Sequence, residues 1–253
     1  MNNSVINSYE VFARFYDPLG FNLFSLLIVP YLEENLNQLQ FRGRDVLDLA
    51  CGTGSTALWF HQAGYQVTGV DISSHMLSQA KKKTQDEGLR IPFYQKDMRE
   101  LKYRNRFDLT VCLFDSLNHL LIYEDILKVF HGVHKALRPG GYFMFDLVTP
   151  YELSSQWNDS IRKEANGDMS LTLSSRYDKE TRTARLTGDF VSLEKGKETH
   201  YIQSFQEKAW TRREIKKALG ATGFECLKDY RCFSFSKPTS KSYRVFYVAQ
   251  KQG

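Results

Sequence analysis

The chain has 253 residues, 42% of them hydrophobic and 25% charged, so it is long and apolar enough to bury a core and is not a disordered segment. Its net charge of +5 permits an anionic ligand without requiring one. The dense basic runs, Lys81-Lys82-Lys83 and Arg212-Arg213 with Lys216-Lys217, fall in amphipathic helical patterns and read as solvated helix faces, which makes nucleic acid an unlikely partner.

Residues 5–39 carry a helical, amphipathic pattern with a break near Pro18 and Gly20. The first four residues lack the features of a signal peptide, and the apolar run 23–32 is too short to span a bilayer, so the expectation is a soluble, cytoplasmic protein without membrane contact. Cys51, Cys112, Cys226 and Cys232 form no CxxC pair and no Cys/His ligand spacing, which fits a reducing compartment and predicts no metal.

From residue 44 to 146, β-rich runs alternate with helical ones. Strands are predicted over 45–49, 66–70, 91–95, 108–113 and 142–147, and helices over 55–63, 74–85 and 124–136. That rhythm implies βαβ units, and nearly all-apolar strand runs belong to parallel strands buried on both faces. Pro139-Gly140-Gly141 stops the helix before it. After Pro150 the runs 170–177, 183–191 and 200–208 follow one another with polar turns and no helix between, the pattern of antiparallel hairpins. Residues 151–209 therefore read as a small antiparallel β insertion within an α/β domain made of 1–150 and 210–253. Helical spacing returns at 211–222, with Thr211 as N-cap, and strand-like runs near 224–233 and 243–250 follow.

The chemistry concentrates in Asp48-Leu49-Ala50-Cys51-Gly52-Thr53-Gly54-Ser55, where a strand ends and a helix begins. Gly52 and Gly54 permit a sharp turn and close backbone approach, and the helix start directs free N–H groups at a ligand. The next strand ends in Asp71, 17 positions beyond Gly54, near the ~20 expected for a carboxylate that grips ribose hydroxyls. The string also fits the G-x-G-x-x-A of a nicotinamide dehydrogenase. Asp48 argues against that reading, since a carboxylate sits badly beside a pyrophosphate and well beside an ammonium. A ligand with an ammonium, a carboxylate and a ribose is S-adenosylmethionine.

Asp48 to Gly54 resembles the first motif of class I S-adenosylmethionine-dependent methyltransferases. Val70-Asp71-Ile72-Ser73 with Met76-Leu77 and Ala80 resembles the second, Asp97-Met98 the adenine-binding pair, and Leu137-Arg138-Pro139-Gly140-Gly141 the turn before the fifth strand. Tyr9 with Phe12-Ala13-Arg14-Phe15-Tyr16-Asp17 is similar to the N-terminal segment of a subgroup with an inserted β-sheet. The resemblance implies a Rossmann-like, seven-stranded, mostly parallel sheet whose last hairpin places one antiparallel strand. It implies a cofactor site of Tyr16, Asp48, Ala50, Gly52, Thr53, Gly54, Asp71, Ile72, Met76, Asp97, Met98 and Leu113. Asp97 would meet the adenine amino group, the Met98 backbone a ring nitrogen, and Ile72 and Met76 the ring faces. Bland readings stand beside these: Met76 as core filler, Asp97 as cap of a short helix, and the N-terminal aromatics as simple packing.

Phe114-Asp115-Ser116-Leu117-Asn118-His119-Leu120 follows the fourth strand at its carboxyl end, where substrate-facing residues belong. His119 titrates in the range of a base for an acceptor amine or hydroxyl, or else it caps a helix or packs against the insertion. The segment is similar to that of amino-sugar N-methyltransferases. It lacks the polar-Pro-Pro-aromatic string of DNA adenine methyltransferases. The expectation is methyl transfer to a small molecule, at an amine nitrogen. The alternatives are an RNA or protein methyltransferase and a non-catalytic S-adenosylmethionine-binding subunit.

Overall fold

The computed structural model describes residues 11–252. The N-terminal part is helical, with α1 (residues 11–16) and α2 (Leu23–Gln38). Then β1 (Asp45–Leu49), α3 (Ser55–Gln62), β2 (Gln66–Asp71), α4 (Ser74–Asp86), β3 (Phe93–Gln95), β4 (Phe107–Cys112), α5 (Tyr123–Ala136) and β5 (Leu137–Val148) alternate. Single 3-10 turns, Met98–Glu100 and Ser116–His119, follow β3 and β4. After α6 (Pro150–Ser155) come β6 (Ser160–Asn166), β7 (Met169–Asp178), β8 (Thr183–Glu194) and β9 (Lys197–Lys208), and finally α7 (Arg212–Ala221), β10 (Phe224–Arg231) and β11 (Arg244–Lys251).

Seven strands form one sheet in the order β10-β11-β5-β4-β1-β2-β3, with β11 antiparallel to both its neighbours and the other pairings parallel. The β1–β4 neighbourhood is where the chain reverses its direction of travel across the sheet, and ligand crevices open there at the strands' carboxyl ends. Val46, Leu47 and Leu49 of β1 are buried on both faces. Helices cover the two sides: α5 and α7 pack with Leu47, Phe143 and Tyr247, and α2, α3 and α4 pack with Val46, Leu109 and Phe246. Ser73 caps α4 through Met76 N–H, and Thr211 with Glu214 closes a capping box on α7.

Strands β6 to β9 form a separate four-stranded antiparallel meander. Side chains alternate, so Leu171, Leu173, Leu186, Phe190 and Phe205 share its inner face while Thr172, Arg185 and Ile202 point outward. The sequence pattern showed no strand at β6. Its run Ser-Ile-Arg-Lys-Glu-Ala-Asn is an exposed edge strand, held by pairing with β7 rather than by burying an apolar face. β5 also begins earlier than expected. Leu137 already pairs with Phe107, and a bulge at Phe107/Leu109 absorbs Pro139-Gly140-Gly141. β3 is shorter than the run 91–95. Among the described residues no helix is long and apolar enough to cross a membrane.

Candidate active site

A cavity of about 920 Å3 lies at the carboxyl ends of β1, β2 and β4, beneath the inner face of the β6–β9 sheet. That volume is near the upper end for ligand pockets, roughly 300–1,000 Å3. The turn after β1 forms one wall. Ala50 and Gly52 there have φ of 58° and 51°, in the left-handed region. A Cβ added at Gly52 would meet no atom within 4 Å, so the glycine leaves open space rather than fitting a tight neighbour. Gly54 differs. It has φ of 77°, precedes α3, and a Cβ there would lie 2.9 Å from Ala80 Cβ and 3.1 Å from the Phe93 ring. It serves packing of the turn against α4 and β3, and it does not line the cavity.

The Asp71 carboxylate ties β2 to this turn, accepting from Gly52 N–H at 2.9 Å and Ser73 N–H at 2.8 Å. Burial raises its pKa, against the pull of those amides. Asp48 is 2% exposed, and its Oδ2 has no hydrogen-bond partner. Burial, and then the nearby Asp71 charge, push its pKa up to about 8. A buried carboxylate oxygen without a partner is costly unless a ligand supplies one.

Thr53 Oγ1 donates to Asp17 Oδ1 at 2.7 Å, and Lys83 Nζ reaches Asp17 Oδ2 and Ser55 Oγ, both at 2.8 Å. Lys83 is therefore not part of a solvated helix face: it turns back along α4 to clasp the N-terminal segment onto the glycine turn. Tyr16 lies beside it, edge-on to Phe12 at 5.2 Å and to Phe114 at 6.5 Å. Burial raises its pKa, and Asp115 and Asp17 add to the effect. Tyr9 lies outside the described residues. Arg14 pairs with Glu194 at the end of β8.

Ile72, Met76, Asp97 and Met98 line the far end. Asp97 caps the 3-10 turn by accepting from Arg99 N–H at 2.9 Å, and its carboxylate is forked by the Arg99 guanidinium. Burial alone would raise the Asp97 pKa; Arg99 outweighs it and holds the pKa low. Arg99 also bonds Asp125 on α5 at 2.8 Å.

At the opposite end, Phe114 and Asp115 take left-handed φ of 57° and 50°. The fully buried Asp146 of β5 holds this elbow, accepting from Phe114 N–H at 2.7 Å and Asp115 N–H at 3.1 Å. Arg244 of β11 pairs with Asp146 and, at 3.2 Å, with Asp115, and lies 4.8 Å from the Phe24 ring centre. His119 ends the 3-10 turn. Its Nδ1 faces the Gln206 carbonyl at 3.2 Å, and because a carbonyl can only accept, Nδ1 carries the proton and Nε2 is the basic nitrogen. Burial lowers the His119 pKa, against an opposing pull from Asp115. Nε2 lies 3.8 Å from Glu207 Oε1. Glu207 of β9 is 5% exposed, and its Oε2 has no hydrogen-bond partner.

Residues 46–141 match the family model described as a methyltransferase domain. The chain is 29% identical over 244 residues to "Putative methyltransferase YqeM" of Bacillus subtilis (strain 168), covering 96% of this chain and 97% of that one. The crystal structure of an S-adenosylmethionine-dependent methyltransferase from Clostridium acetobutylicum ATCC 824 superposes with a TM-score of 0.83 at 25% identity, over 97% of this chain and 99% of that one. This chain is an S-adenosylmethionine-dependent methyltransferase. The fold is shared with S-adenosylmethionine-bound CalS10 of Micromonospora echinaspora, an amino pentose methyltransferase, at a TM-score of 0.71 and 19% identity, over 96% of this chain and 97% of that one.

In this methyltransferase the cavity brings together Tyr16, Asp48, Ala50, Gly52, Thr53, Asp71, Ile72, Met76, Asp97, Met98 and Leu113, all of the expected cofactor site except Gly54, together with His119. The lining suits the family's cofactor: an unpartnered buried carboxylate at Asp48 for an ammonium, and open space beside the Gly52 Cα for close approach. Sequence reasoning missed Arg244, Asp146 and Glu207. Asp146 had a faint signal, an acid inside the otherwise apolar run Phe143-Met144-Phe145-Asp146-Leu147.

Proposed function

We propose that this enzyme methylates an amine nitrogen of a small molecule, with residues 1–150 and 210–253 forming the cofactor-binding domain and 151–209 the cover over the acceptor. The observation that carries the reading is His119: half-buried in the cavity wall, its tautomer set by the Gln206 carbonyl, with a lowered pKa that keeps Nε2 unprotonated near neutral pH. S-adenosylmethionine, when bound, supplies a methyl group activated by its sulfonium. Asp48 pairs with the cofactor's ammonium, Asp71 with the ribose hydroxyls, and the Gly52–Gly54 turn with the carboxylate. Ala50, Thr53 and Leu113 shape that wall, and Tyr16 closes over it from the N-terminal segment. Ile72 and Met76 flank the adenine, and Met98 meets its edge. Asp97 accepts from the adenine amino group while remaining forked to Arg99, since a carboxylate has lone pairs for both.

His119 Nε2 takes the proton that the acceptor nitrogen must lose, a role worth ~100- to 10,000-fold for general bases. The enclosing sheet excludes water and aligns the acceptor. The likeness to CalS10, an amino pentose methyltransferase, supports an acceptor that carries an amine. A small molecule is favoured over RNA because the reacting end lies under the β6–β9 sheet. A reducing, cytoplasmic setting agrees with cysteines that are all free among the described residues.

Incubation with methyl-labelled S-adenosylmethionine, matched panels of amines and alcohols, and bulk RNA tests the reading. Label is expected in the amines, with His119→Ala lowering kcat at least about 100-fold while cofactor affinity stays within twofold. Label in alcohols alone, or in RNA alone, overturns it.

A further inference from the structure

The acceptor end holds a carboxylate that the proton transfer does not use. Glu207 projects from β9 into the cavity, is almost fully buried, and leaves Oε2 without a hydrogen-bond partner. Asp115 faces it from the elbow after β4, Asp146 from β5, and Glu152 of α6 lines the same cavity. The cation among them, Arg244, is engaged by Asp115 and Asp146. This end of the cavity therefore carries an excess of acidic groups around a carboxylate oxygen with nothing to bond. Burial and the Asp115 charge push the Glu207 pKa up, so it is poised to ionise when a cation arrives.

The ceiling above it has a different chemistry. Leu171, Leu173, Leu186, Phe190 and Phe205 present hydrocarbon to the cavity. The hydroxyls that do point in are already satisfied: Ser160 and Ser175 bond each other at 2.7 Å, and Ser175 donates to the Trp157 carbonyl at 2.7 Å. Arg162 at the edge pairs with Glu164. A polyhydroxylated acceptor would give up its water hydrogen bonds here and find few replacements. A hydrocarbon body would gain from burial against the same surface.

From this geometry we infer that Glu207 is a specificity-determining residue and that the acceptor is an apolar-bodied alkyl or arylalkyl amine, its ammonium on Glu207 and its hydrocarbon on the underside of the β6–β9 sheet. The inference rests on the reading of the reaction as amine methylation and narrows it to one class of amine. Glu207 binds the cationic form, and the neighbouring His119 Nε2 receives the proton when the nitrogen is to react.

Calorimetry on the S-adenosylhomocysteine complex tests this with phenethylamine, 2-phenylethanol and glucosamine. Phenethylamine is expected to bind at least about tenfold more tightly than either of the others, because one lacks the charge and the other the hydrocarbon. Glu207→Gln is expected to weaken phenethylamine about tenfold or more, leaving 2-phenylethanol and S-adenosylhomocysteine within twofold. Equal binding of phenethylamine and 2-phenylethanol by the wild type, or glucosamine binding as tightly as phenethylamine, overturns the inference, and neither arm needs a variant to fold. Phenethylamine binding that depends on Glu207, with no amine methylated, would remove the N-transfer reading and with it the acceptor assigned here, leaving Glu207 as an ammonium-binding residue only. Preferential N-methylation of glucosamine would keep the N-transfer reading and overturn this inference alone.

Discussion

The two ends of the cavity solve one problem, a buried carboxylate, by different means. At the cofactor end Asp71 is held by two backbone amides, that of Ser73 two positions on and that of Gly52 in the turn of the adjacent strand, 19 positions back. At the acceptor end Asp115 and Asp146 depend on one guanidinium from the last strand, and Glu207 has no such partner. A site held by backbone amides of two neighbouring strands is fixed once β1 and β2 pair. A site built across the sheet exists only when β4, β5, β9 and β11 have all docked, and a single residue can disconnect it.

Removing that residue gives the largest expected effect. Arg244→Met leaves two carboxylates buried without their cation, and a broken buried pair costs about 3–5 kcal/mol. Urea unfolding should show that loss. Asp71→Ala at the other end should cost less stability and more cofactor affinity, and equal stability losses would erase the contrast.

The two glycines of the turn should separate in the same way at smaller scale. Each Ala replacement meets a left-handed backbone, at about 1–2 kcal/mol. Gly54→Ala adds a clash with Ala80 and Phe93, so its Tm should fall further. Gly52→Ala has room and should keep more stability while losing more S-adenosylmethionine affinity. A larger Tm loss at Gly52 would reverse the assignment.

The smallest effect is one of pH. Burial holds the His119 pKa below its ordinary 6.5, so the base stays neutral further into acid. The acid limb of kcat/KM should therefore midpoint below 6.5 and vanish in His119→Ala. A limb at or above 6.5 would mean that Nε2 is stabilised in its charged form.

The same contrast explains what could be read from the sequence. Asp48, Gly52 and Asp71 were visible because strand, turn, helix and acid follow one another within a short stretch, and local geometry forces them together. Arg244 lies 129 positions from Asp115 and 98 from Asp146, so no spacing rule connects them. Glu207 sits in an alternating strand where an inward acid looks like any surface residue until the sheet above the cavity is in place. β6 escaped because an exposed edge strand has no buried face to imprint a pattern. Lys83 was misread because its lysine run hides which of three neighbours turns inward.

The alternation of the β6–β9 sheet has one more consequence, for how such an enzyme changes over generations. Every second residue of its inner strands faces the acceptor, while the backbone ladder that holds the sheet is indifferent to side chains. Positions such as Leu173, Leu186 and Phe205 can therefore exchange one apolar side chain for another, since strand register holds as long as the buried face stays apolar. The methyl donor stays a fixed inheritance, and the recipient is free to diverge.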